Sequence, residues 1–406
     1  MRCVVPCAAL AVLLPLSASA QSLSMTEAEV LARVSADSPR VRAIRAATDV
    51  VRAESLSARR WPNPRLTVDR ESVAGVTEYL TMIGQPLPIT GRRGLEIRSA
   101  DALAEASAAR TDDVLRRARA DVRFAYAQLV AAQTRERALT EARERLRDLA
   151  GILARRESAG DAAGFDRLRA EREVSDADAD LSAASTERAR AQATMASYFA
   201  DRIDPSRIVA SSASSSSDPV PGVDALVERA LSVRGELVAL NKERDAARFA
   251  ADAANRRRIP EPEIIAGTKS STVGGGDIGS VVTVQATLPL FDRGRPERVL
   301  AEARAKQAEA EADAVRAALR SDIAALHAAV LERRETAARY RTSAVNGASE
   351  IERVARVSYD AGERGILELL DAYRAGSSAR ARQAALDLAA RQAEVELEFV
   401  SGWEIP

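Results

Sequence analysis

Cysteine is nearly absent. The chain has two, Cys3 and Cys7, both within its first seven residues. The rest therefore carries no disulfide and no thiolate metal site. Histidine is reduced to His327, set among apolar and alanine positions. A lone histidine on a long helix reads as structural rather than as a ligand. Aromatics are 3% of 406 residues, too few for several compact cores. Such a composition suits long helices that meet through small side chains. Net charge is missing too: 59 Lys and Arg balance 59 Asp and Glu, so no nucleic-acid partner is indicated. Lysine itself is confined to Lys242, Lys269 and Lys306. Beyond the first twenty residues no run approaches a transmembrane helix, which argues against a helical inner-membrane protein. "VGGGDIG" joins two expected strands rather than opening a helix, so it is no phosphate loop. No nucleophile–base pair stands out, so the chain is not read as an enzyme, and no cofactor or metal is expected.

What is present begins with a leader. Residues 1–20 have a charged start at Arg2, an apolar middle "VVPCAALAVLLPL", and a small-x-small end at Ala18-Ser19-Ala20. They read as a secretory signal peptide. Lipid attachment at Cys7 is disfavoured by Pro6 and by an apolar stretch that follows the cysteine instead of preceding it.

The remainder says the same thing twice. "PLPITGRRGLEIRSADALA" at 86–104 and "TLPLFDRGRPERVLAEARA" at 287–305 share Leu-Pro, then Gly-Arg, then an alanine-rich charged helix. Around them the order of elements recurs. A helix over about 26–60 stops at "WPNP", two strands follow at about 64–72 and 77–87, and a very long helix runs from 91 to about 158. "SAGDAAG" breaks it, and a further helix ends near 199. In the second half a helix over about 223–258 stops at "IPEP", with strands at about 262–270 and 278–288. A long helix over about 295–357, the break "YDAGERG" and a last helix follow. The organisation is a first repeat, 21–200, a Ser/Pro-rich linker, 201–222, and a second repeat, 223–406. Pro88, Gly91, Pro289 and Gly294 mark the strand-to-helix exits: proline ends the ladder and glycine lets the chain turn into the helix.

The long helices carry coiled-coil spacing. Ile323, Val330, Ala337, Ala344 and Ile351 recur every seven residues, with Leu326, Tyr340 and Val354 three further on. In the first half Leu115, Val122 and Leu129 share one phase and Leu139, Leu146 and Leu153 another. A helix of sixty-odd residues is about 100 Å long, which suits a tube or rod, not a globule. The strands have the length of tilted membrane strands, roughly 9–11 residues, with weak alternation. Four cannot close a membrane barrel, and open edges in lipid are prohibitive, so membrane strands require an oligomer that pools them. On strand length alone, soluble hairpins at the tip of a coiled coil fit equally well.

Together these features resemble the TolC-type outer membrane factors of Gram-negative bacteria. The most specific piece is "YDAGERGILELLDAYRA", 359–375, similar to the family's turn after the last long helix; "QPLPITGRR" and "TLPLFDRGR" are similar to its strand-to-helix exits. The resemblance implies a mainly α fold with a small β part. A homotrimer would form a 12-stranded barrel in outer-membrane lipid and a coiled-coil α-barrel in the periplasm. It also implies a periplasmic adaptor (membrane fusion) protein and an inner-membrane RND-type pump as partners. The short chain looks most like the CzcC-like heavy-metal branch, so the expected cargo is heavy-metal cations, conducted passively. A multidrug or type I secretion duct is the alternative, and a soluble periplasmic adaptor or scaffold a further one. By position in the family motif, Asp371 and Glu368 are the expected constriction acids, Arg364 and Asp166 a linking pair, and Tyr359 another linking residue. Glu368 and Asp371 are three apart, so they share a helix face.

Overall fold

A computed structural model describes residues 22–34, 38–160, 164–211, 219–273 and 276–403. The leader, both cysteines and part of the serine-rich linker lie outside these. The described residues begin with β1 (Leu23–Met25), α1 (Glu27–Arg33) and α2 (Pro39–Ala58). The hairpin β2 (Arg65–Val73) and β3 (Val76–Pro86) leads into α3 (Arg92–Ser158), and α4 (Gly164–Ala196) returns. After β4 (Ile208–Ala210) the order repeats. It gives α5 (Val223–Val233), α6 (Gly235–Arg256), β5 (Pro262–Ser271), β6 (Ile278–Ala286), α7 (Arg295–Tyr340), α8 (Asn346–Asp360) and α9 (Ile366–Ser401).

α3 has 67 residues and so runs about 100 Å. Two rows of helices form along it. Nearer the sheet the lateral order is α2, α3, α6, α7; beyond mid-height it is α4, α3, α9, then α7 and α8. Among the described residues the buried ones are mostly alanine and leucine, and three clusters stand out along the helices. One, around Val122, Tyr126, Leu129 and Met195, is closed by the parallel pairing of β1 with β4. The second lies around Leu319, Ile323, Val330 and Leu397. The third, at the end remote from the sheet, joins Leu146, Leu149 and Leu153 of α3 to Ile366, Leu369 and Leu370 of α9.

Four expectations need correction. The helix expected over 26–60 is two helices: Ser38 caps α2 by accepting from the Val41 amide at 3.3 Å, and Pro39 occupies its first turn. The helix expected over 223–258 is also two. Arg234 is extended, and the Glu236 amide donates to Asp113 on α3 at 2.5 Å. A side chain at Gly235 would come within 2.2 Å of the Ala109 carbonyl, so the junction needs that close approach. Within the linker, Pro205–Arg207 forms a 3₁₀ turn and Ile208–Ala210 is strand β4. Fourth, the seven-residue repeat of the second long helix holds only to Ala337. Arg341–Val345 form a π-turn, in which the Asn346 amide bonds the Arg341 carbonyl. A π-turn inserts one residue, so the buried positions beyond it are Ala348, Glu352 and Ala355, while Ile351 and Val354 are exposed.

Candidate functional site

The sheet has the order β2-β3-β5-β6, every pair antiparallel. Its register sorts side chains onto two unlike faces, since directly opposed residues share a face. The row Leu66, Ile83, Ala266, Val282 stands on one face, with Val68, Tyr79, Ile264, Ile278 and Val284. That face carries large apolar groups open to the surroundings. Of the charged strand residues it holds only Arg70, whose guanidinium lies 5.8 Å from the Tyr79 ring centre. The other face holds Arg65, Asp69, Glu71, Glu78, Glu263 and Lys269. Lys269 pairs with Glu78 at 2.6 Å, and Arg65 lies 3.8 Å from Glu263. Among the described residues of the chain, β2 and β6 are unpaired on their outer sides. An apolar face and open edges together describe a segment of a barrel whose remaining strands come from elsewhere.

The exits tie sheet to helix. Gly91 and Gly294 cap α3 and α7 with φ of 78° and 73°, a conformation that other residues adopt at a penalty. Pro88 and Pro289 stand between strand end and helix start. The Leu87 amide donates the last bond of the β3–β5 ladder to the Pro262 carbonyl at 2.9 Å. Glu261 accepts from Thr90 at 2.8 Å and from Arg92 at 2.7 Å, fixing the first exit against the second repeat. At the second exit Arg257 reaches Glu297 at 2.5 Å.

At the remote end, α3 with α4 and α8 with α9 form two helical hairpins. "LLDA" divides there: Leu369 and Leu370 are buried against α3, while Asp371 is exposed. Glu368 is exposed as well. Tyr359 is half-buried, packed on the third cluster, with Arg156 5.6 Å from its ring centre. Arg364 is exposed and Asp166 half-buried; within the chain, among the described residues, no ion pair joins them.

Other charges join the hairpins instead. Arg374 of α9 donates to Glu173 of α4 at 2.6 Å. Glu352 of α8 receives Arg145 of α3 at 2.7 Å and Arg380 of α9 at 2.6 Å. Arg356 donates to the Tyr373 hydroxyl at 3.2 Å and to Asp360 at 3.1 Å, and these partners hold its pKa above the ordinary guanidinium value. Sequence reasoning missed Glu173, Glu352, Arg374 and Arg380. The usable signal was a carboxylate standing at a position whose helical neighbours are buried. At mid-height Arg123, Arg391 and Arg334 enclose Glu27, Glu394 and Glu398. Burial pushes the Glu398 carboxyl above its ordinary value, with Arg123 opposing. His327 is half-buried on α7, and the described residues contain no cluster suited to a metal ion.

The model of one family, outer membrane efflux protein, matches residues 30–200 and 226–402. The cobalt-zinc-cadmium resistance protein CzcC of Cupriavidus metallidurans is 24% identical over 330 residues, spanning 80% of this chain and 78% of that protein. Among solved structures, a membrane protein from Pseudomonas aeruginosa superposes with a TM-score of 0.77 at 20% identity, over 93% of each chain. The channel CusC superposes at 0.75 with 14% identity, over 92% of this chain and 91% of its own.

Proposed function

The chain belongs to the outer membrane efflux protein family, and from that premise we propose which cargo it carries and how three copies close around it. It is a passive outer-membrane efflux channel that extends into the periplasm, not an enzyme. Family members form trimers and work with an adaptor and an RND-type pump. Our reading is that the β6 edge of one copy pairs with the β2 edge of the next. Twelve strands then close with the apolar face toward lipid and the charged face toward the lumen. The observation that carries this reading is a shared edge order at three heights. In the sheet the first-repeat edge is β2 and the second-repeat edge β6. In the upper helical row the edges are α2 and α7, and in the lower row α4 and α7–α8. One head-to-tail rotation satisfies all three.

Heavy-metal cations are the proposed cargo. The support is the similarity to CzcC, together with Glu368 and Asp371, which stand exposed where a three-fold axis would gather them into an acid ring. Arg364, Asp166 and Tyr359 are proposed to act between copies at the same end. The specific pump, adaptor and lipid contacts belong to this proposal too. The test is growth of a deletion strain on cobalt, zinc and cadmium, and separately on dyes, detergents and antibiotics. Sensitivity confined to the cations, reversed by the intact gene and weakly by Asp371→Asn, is expected. Sensitivity confined to organic compounds would assign the channel to multidrug efflux.

A further inference from the structure

The outer faces of α2 and α7, at opposite margins of the chain, are built alike. On α2, Val41 and Thr48 are buried on the side of α3, where Thr48 bonds Thr111. Ala43, Ala46, Val50 and Ala53 lie on the opposite side and are exposed. On α7, Ala301, Ala308 and Ala312 are buried, whereas Leu300, Ala303, Gln307, Ala310 and Ala314 lie opposite them and are exposed. Both exposed rows advance by alternating steps of three and four residues, the spacing of a coiled-coil seam. α2 runs toward the sheet and α7 away from it, so the two together make an antiparallel pair. The shoulders of the rows carry charge in matching order. Outward from the sheet, one shoulder of α2 presents Leu56, Asp49 and Arg42, and the same shoulder of α7 presents Val299, Lys306 and Asp313. On the other shoulder, Glu54 of α2 answers Arg304 of α7. All of these are exposed. Among the described residues no ion pair within the chain engages Arg42, Glu54, Arg304 or Lys306. Asp49 and Asp313 have only neighbours on their own helices, Arg52 at 3.8 Å and Arg316 at 2.6 Å.

We infer that α2 of one copy and α7 of the next form an antiparallel, alanine-rich pair whose register is set by charge. Arg42 meets Asp313 of the neighbouring copy, Asp49 meets Lys306 and Glu54 meets Arg304. This rests on the ring reading above, which brings those two margins together. Apolar fit alone leaves the register open. A seam that repeats every seven residues fits again after a slide of seven, about 10 Å along the axis. Charge decides among the choices. Slid one way, Asp49 meets Asp313, Arg42 meets Arg320 and Glu54 meets Glu311. Slid the other way, Arg42 meets Lys306 and Glu54 meets Glu297. A slide of a second repeat takes Leu300 and Ala303, or Val50 and Ala53, past the end of the other helix. The register between joins opposite charges wherever both shoulders are charged, and it sets Leu56 against Val299. Exposed pairs of this kind add little strength singly. Their effect is to make the neighbouring registers repulsive, so that copies of this chain close at one height.

The absence of cysteine after residue 7 lets paired cysteines report the contact in the full-length channel in outer membranes. Ala46→Cys combined with Ala310→Cys places the two thiols opposite each other across the seam. Mild oxidation is expected to link these chains into dimers and trimers on a denaturing gel. Ala46→Cys with Ala317→Cys, one repeat away, and each single substitution are expected to give monomers. Linkage through Ala317 instead overturns the register and leaves the ring intact. Linkage with neither, in trimers that survive detergent, overturns the meeting of α2 with α7 and the ring reading with it. Charge is read separately. Asp49→Lys and Lys306→Asp are each expected to lower trimer yield several-fold, and the two together to restore it, a recovery that lost folding of α2 or α7 would not show. No recovery in the reversed pair overturns the role of charge.

Discussion

Arg374 on α9 and Glu173 on α4 form the ion pair that ties the last helix of one repeat to the last helix of the other, the Arg374 Nε standing 2.6 Å from the carboxylate. Glu173 is buried, whereas the Arg374 side chain is 57% exposed. The two partners are thus unequal: losing the arginine strands a buried carboxylate, while losing the carboxylate frees an arginine to reach water. Arg374→Ala is expected to destabilise the remote end by about 1–3 kcal/mol, and Glu173→Gln by less. Hydrogen exchange at α4 and α9 in the assembled channel reads the difference. Equal effects would mean that the pair behaves as an ordinary surface contact.

Adjacent residues of β6 should respond oppositely to charge. Val282 lies on the apolar face and Val281 on the face with Lys269 and Glu78. In a lipid-facing barrel, Val282→Arg is expected to cost about 2–4 kcal/mol per strand, and Val281→Arg far less. The yield of heat-modifiable trimer in outer membranes measures both.

The two exit glycines should differ despite similar dihedrals. Both have positive φ, so alanine costs about 1 kcal/mol at either. Around Gly91 there is open space, but a side chain at Gly294 would meet the Ala254 carbonyl at 2.3 Å. Gly294→Ala is therefore expected to lower the unfolding temperature more than Gly91→Ala. A reversed order in thermal melts of the purified channel would exclude this account.

Acid sensitivity should carry a signature from Glu398. Its folded carboxyl is pushed above the ordinary 4.5 by burial. The native state then holds a proton that the unfolded chain releases, so this group's contribution to stability falls as pH rises from that ordinary value through the raised one. Glu398→Gln is expected to remove that slope. Denaturation midpoints between pH 4 and 8, compared with the parent, give the answer.

Much of the architecture was legible because it rests on local signals. Proline after each second strand, glycine before each long helix and alternation in the strands fix elements whatever their surroundings. The breaks before α2 and α6 were less visible. The second exists because Gly235 and Asp113 meet across two helices, a contact no local pattern announces. The π-turn was hidden for a stronger reason: the seven-residue spacing through Ala344 to Ile351 is intact in the sequence, and tertiary pairing of Glu352 overrides it. Glu368 and Asp371 were findable from spacing and motif. Glu173 and Arg374 were not, because 118 charged residues offer too many pairings for sequence to choose among.

The sheet's two open edges have a genetic consequence. In the ring proposed above, each copy supplies one edge and receives another, so no copy can be silent. A chain whose β6 is disabled but whose β2 and helices are sound would still enter the ring and leave one seam unsealed. Produced alongside the normal protein, it would spoil most assemblies it joined. Lesions in β2 or β6 should therefore be dominant, while lesions that prevent a chain from folding at all should be recessive.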